Sequence, residues 1–207
     1  MKKFSGKTKY LILTILILLF ITGLSYIYQC YFRTDEQKNI SKFKKLYVNL
    51  QKVTYNIFFD EYYPRGWAKT NEMLYSAYKK RLKLLKDCGK SNTCFPDKKY
   101  KNSNIFFEEK KSDKENLYSV ILSDGSALMF GSTDNGACSQ EVKDTFPFCG
   151  LIFVDINREM PPDEYGKDYF VLIINDNGIY PADCNYDTCK SNITDKIVHP
   201  KYFVRVK

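Results

Sequence analysis

The chain has 207 residues, 32 lysines and arginines against 24 aspartates and glutamates, a net charge of +8, seven cysteines and one histidine. Four of the lysines, Lys2, Lys3, Lys7 and Lys9, sit in an N-terminal stub without acids, so the remainder carries 28 basic and 24 acidic residues, too even a balance to point to nucleic acid. With one histidine and no C-x-x-C pair, zinc-ligand spacing is missing, and the length suits one domain with a substantial core.

Residues 1–9 read as a cytoplasmic stub. From Tyr10 to Phe32 no charged residue occurs. A helix rises about 1.5 Å per residue and a bilayer core is roughly 30 Å thick, so residues 10–32 are expected to form a transmembrane helix. The segment ends in Tyr-Ile-Tyr-Gln-Cys-Tyr-Phe. That is the composition of an interfacial aromatic belt rather than a cleavage site, and it predicts an uncleaved signal anchor. The basic flank before it, against Arg33 and Lys38 offset by Asp35 and Glu36, places the N-terminus in the cytoplasm. The expectation is thus a single-pass protein of the inner (cytoplasmic) membrane, with lipid as one partner and the rest of the chain periplasmic or extracellular.

Apolar residues then recur at Ile40, Phe43, Leu46, Tyr47, Leu50, Val53, Ile57 and Phe58, in steps of three and four. No proline or glycine intervenes between Gly23 and Pro64, so residues 33–63 are expected to continue the same long helix. Residues 64–207 read as an α+β head domain. Pro64-Arg65-Gly66 breaks the helix, and a second amphipathic helix is predicted from Thr70 or Asn71 to Asp87, with Met73, Leu74, Ala77, Tyr78, Leu82 and Leu85 inward and Gly89 as its stop. The basic run Lys79 to Lys83 fits a solvated face of that helix.

The period then changes to that of strands. Leu117–Leu122 and Ala127–Phe130 flank Asp124-Gly125, a hairpin signal. Further strands are expected at Cys149–Ile156, Tyr169–Ile174 and Gly178–Pro181, giving an antiparallel sheet that the long helix covers on one face. Six cysteines fall into the near pairs Cys88/Cys94, Cys138/Cys149 and Cys184/Cys189. Local closure of these loops is favoured among 15 connectivities, and it fits an oxidising compartment.

Four segments carry a resemblance: Lys44-Lys-Leu-Tyr47, Leu84-Leu-Lys-Asp-Cys-Gly89, Leu122-Ser-Asp-Gly-Ser126, and Cys149-Gly-Leu-Ile-Phe-Val-Asp-Ile-Asn157 followed by Gly166-Lys-Asp-Tyr-Phe170. Together they resemble the type IV pilin and type II secretion pseudopilin family, over roughly Ser41 to Ala182. The resemblance implies a helix packed on an antiparallel sheet and partners among other pilin-like subunits or secretion machinery proteins. The chain departs from the family at the prepilin signal: Gly6 is followed by Lys7-Thr8-Lys9-Tyr10-Leu11, with neither the phenylalanine nor the acidic residue found there in the family.

Asp155, Asn157, Asp163 and Asp168 concentrate hard oxygen ligands on one loop, and major pseudopilins carry calcium in a head-domain loop, so these four are the candidate calcium ligands. The same residue types also form Asx turns between strands. His199 beside Pro200 suits a surface position better than nucleophilic catalysis, and no paired carboxylates or phosphate-cradling glycine loop stand out. The 17 tyrosines suit strands and half-buried helix faces. Asn39-Ile-Ser41 and Asn192-Ile-Thr194 matter only in a eukaryotic secretory route. The functional expectation is a non-enzymatic pilin-like or pseudopilin-like subunit or accessory protein. The alternative is a membrane-tethered binding or hydrolytic domain unrelated to pili.

Overall fold

The computed structural model describes residues 6–61, 64–91, 93–96, 101, 116–133, 138 and 148–182. They fall into two compact units, Met1–Lys38 and Asn39–Lys207. Helix α1 spans Gly6–Glu61, followed by α2 (Pro64–Trp67), α3 (Asn71–Lys79) and six strands: β1 (Leu84–Gly89), β2 (Tyr118–Leu122), β3 (Ala127–Ser132), β4 (Gly150–Asp155), β5 (Tyr169–Asn175) and β6 (Gly178–Pro181). The fold is α+β, with one antiparallel sheet ordered β1-β2-β3-β4-β5-β6.

In the first unit α1 is apolar and uncovered: Tyr10 is 75% exposed, Phe20 68% and Tyr26 69%. Its polar side chains turn back on the helix, Thr22 Oγ1 donating to Leu19 O (3.0 Å) and Ser25 Oγ to Thr22 O (2.9 Å). The expected membrane span does not stand, because among the described residues no helix is long and apolar enough to cross a membrane. The signal-anchor and inner-membrane readings, with the orientation drawn from Lys2, Lys3, Lys7 and Lys9, are corrected accordingly.

The second unit is built on residues 39–61 of α1. Phe43, Leu46, Tyr47, Leu50, Val53 and Ile57 are all buried, and Ile40 and Phe58 are half-buried at the margin. The stripe lies on one face of the sheet: Phe43 stacks on Phe170 of β5 with centroids 3.7 Å apart, and Tyr47 donates from its hydroxyl to Ile179 O of β6 (3.0 Å). Lys42 Nζ reaches Ile156 O (2.8 Å) past the end of β4. Helix α3 joins the same layer through Leu74, Tyr75, Ala77 and Tyr78, its start capped by Thr70, whose hydroxyl accepts from Met73 N (3.1 Å).

The predicted second helix ends early. It stops at Lys79, and Leu84–Gly89 forms β1, pairing with β2 from Leu84↔Leu122 to Gly89↔Ser119 through two register shifts. Leu85, expected inward, is 69% exposed, and Gly89 lies at a strand end with φ +59° rather than at a helix stop. The sheet's second face is also buried: Leu117, Met129, Leu151, Phe153, Tyr169, Val171 and Ile173 pack there with Phe95 and Phe148. Burial on both faces explains why β4 and β5 read as unbroken apolar runs.

Candidate functional site

Asp155 and Asp168 are both fully buried. Asp155 ends β4, and its Oδ1 accepts from Asn157 N (3.1 Å) and Arg158 N (2.6 Å). Asp168 precedes β5, and its two oxygens accept from Asp163 N and Glu164 N, both at 2.8 Å. Asp163 and Arg158 hold positive φ, and Asn157 Nδ2 donates to Pro161 O (3.0 Å). The carboxylates thus close the β4–β5 connection on itself by capping backbone N–H groups. Among the described residues, the carboxylate oxygens of Asp155, Asp163 and Asp168 do not form a group within 4.8 Å of one another.

The structure joins Cys88 to Cys94 (S–S 1.97 Å) and Cys138 to Cys149 (S–S 2.02 Å). Cys184, Cys189, His199 and Asn192 lie outside the described residues. Cys88–Cys94 draws Phe95 toward the second sheet face. Next to it, Asp87 accepts from the Tyr75 hydroxyl and from Gly89 N (2.9 Å) and pairs with Lys79, whose ammonium also stands 5.3 Å from the centre of the Tyr75 ring. Burial alone would raise the Asp87 carboxyl, but the bonds from Lys79, Tyr75 and Gly89 hold it below its ordinary value. Burial and the bond to Asp87 push the Tyr75 phenol up.

A hollow of about 290 Å³ opens between the end of α1, α2 and α3, lined by Glu61, Gly66, Trp67, Met73, Ser76, Ala77 and Lys80. Trp67 is buried against Phe58 and Tyr78, and among the described residues its Nε1 has no hydrogen-bond partner.

The most extensive unpartnered feature is apolar. On the α1 face turned away from the sheet, Val48 (63% exposed), Tyr55 (52%) and Phe59 (78%) form a second stripe at spacings of seven and four residues. Sequence reading missed it because the inward stripe accounts for the helix. Subtracting that stripe is the signal that finds it. In the first unit the exposed large apolar side chains include Tyr10, Ile12, Phe20, Tyr26 and Tyr28. Comparison of the chain with family models, with characterised proteins and with solved structures gives no match.

Proposed function

We propose that this chain is a non-enzymatic, pilin-like or pseudopilin-like subunit or accessory protein of a type IV pilus-like or type II secretion assembly, acting through contacts of its N-terminal helix with neighbouring subunits. One observation carries the reading: α1 buries one stripe on an antiparallel sheet while leaving a second apolar stripe, Val48, Tyr55 and Phe59, in the open. Apolar surface of this extent on an isolated chain marks an interaction face. The segments Lys44–Tyr47, Leu84–Gly89, Leu122–Ser126 and Cys149–Asn157 support the pilin comparison. Because Gly6 lacks the family's following residues, the contacts proposed here rest on apolar helix packing and not on a buried acid–amine pair.

Sedimentation velocity of the full chain over a range of micromolar concentrations tests this. The expected result is concentration-dependent association that the double substitution Tyr55→Glu/Phe59→Glu weakens at least tenfold, about 1.4 kcal/mol, with an unchanged circular dichroism spectrum. A wild-type chain that stays monomeric throughout, or a double variant that associates as before, rejects the proposal.

A further inference from the structure

Two buried sulfurs and one surface carboxylate converge where β4 begins beside the β5–β6 turn. The Sγ atoms of Cys138 and Cys149 and a carboxylate oxygen of Asp176 all lie within 4.8 Å of one another, the one such group among the described residues. Several bonds fix the place. Cys149 N donates to Ile174 O (2.7 Å), and Cys149 O accepts from Thr133 N (3.1 Å) and Thr133 Oγ1 (3.0 Å). Asn175 Oδ1 accepts from Asn177 N (2.9 Å), an Asx turn that holds Asp176 at the exposed tip. Cys138 and Cys149 belong to the apolar core, so the sulfurs meet hydrocarbon on one side and the carboxylate on the other.

While the sulfurs are bonded to each other they have no thiolate to offer an ion. We propose that reduction of Cys138–Cys149 creates a site for a thiophilic divalent cation, Zn²⁺ or Cd²⁺, ligated by the two thiolates and the Asp176 carboxylate. The reductant is a dithiol. Its two sulfurs close into their own disulfide as the Cys138–Cys149 bond breaks, delivering two electrons and two protons to the protein sulfurs. Ion binding then releases those two protons to solvent.

The geometry suits this ligand set. Zinc holds sulfur at about 2.3 Å and carboxylate oxygen at about 2.0–2.2 Å, so tetrahedral ligand atoms stand about 3.5–3.8 Å apart. The two sulfurs and the carboxylate oxygen lie within 4.8 Å of one another, so small side-chain movements after reduction bring them to that spacing. A fourth ligand position is left to water. Thiolate ligands exclude calcium and magnesium, which take oxygen.

The test uses the full chain, reduced with a dithiol, desalted under argon and titrated with Cd²⁺, with thiolate-to-cadmium charge-transfer absorption as the readout. The reduced wild type is expected to bind one equivalent that Cys88→Ser/Cys94→Ser retains, that Cys138→Ser/Cys149→Ser loses, and that Asp176→Asn binds at least about tenfold more weakly. The oxidised chain is expected to show no such absorption. Asp176→Asn keeps every cysteine and alters only an exposed side chain, so it carries the test even if the double cysteine variant fails to fold. Equal affinity in Asp176→Asn and wild type, or full retention of the equivalent in Cys138→Ser/Cys149→Ser, overturns the proposal.

Discussion

Thr54 carries one hydroxyl proton, and its oxygen has two close neighbours inside the core. It donates to Leu50 O at 2.7 Å, so the 2.5 Å contact with Tyr78 must be a bond donated by the tyrosine. Burial pushes the Tyr78 phenol well above its ordinary value, so this donor stays protonated at any ordinary pH. The two partners are therefore unequal. Tyr78→Phe keeps the ring against Phe130 and Trp67 and leaves Thr54 bonded to Leu50, so it is expected to destabilise by only about 1 kcal/mol. Thr54→Val strands the buried tyrosine hydroxyl and is expected to cost about 1–3 kcal/mol. Urea unfolding of the two single variants and the double checks the order, with the double milder than the sum. A second residue-scale expectation concerns Asp87. Its carboxyl is held low in the folded chain, so the stabilisation is complete above the unfolded value of about 3.9 and disappears as pH falls through the folded one. Urea midpoints measured from pH 7 to pH 3 are expected to fall on the acid side in the wild type and to fall less in Asp87→Asn.

At the scale of elements, the closest fit lies between α3 and β4. A Cβ on Gly150 would stand 3.0 Å from Leu74 Cδ2 and 3.3 Å from Gly131 O, so Gly150→Ala is expected to push α3 off the sheet and destabilise by about 1–3 kcal/mol, read as a lowered thermal midpoint. The helical stripe of α1 was legible from Phe43 to Ile57 because its three-and-four spacing has no strand interpretation. The strands from β2 to β6 were legible within a residue or two through turn residues such as Asp124 and Gly125, the latter at φ +84°. Strand β1 was not legible. Leu82 and Leu85 continue the spacing of Leu74 and Tyr78, and only pairing with β2, a partner about thirty residues away, turns that stretch into a strand. The stretch from Asp155 to Asp168 was legible only in part for a related reason, since composition shows that carboxylates are present but not that the backbone N–H groups of Asn157 and Asp163 donate to two of them.

At the scale of the whole molecule, the core of the second unit, among the described residues, draws on residues from Phe43 to Ala182. A chain beginning at Asn39 is therefore expected to melt cooperatively with a midpoint within a few degrees of the full chain, while losing part of its association in sedimentation. Both borders of the sheet are poor templates for further strands. One is kinked by two slips of register around Lys86, and the other is four residues long and ends in Pro181, whose ring nitrogen has no hydrogen to give. Copies of this chain consequently have little means of extending their sheets into one another, which guards against amyloid-like growth. Concentrated solutions should leave thioflavin T dark even while helix contacts gather the molecules together.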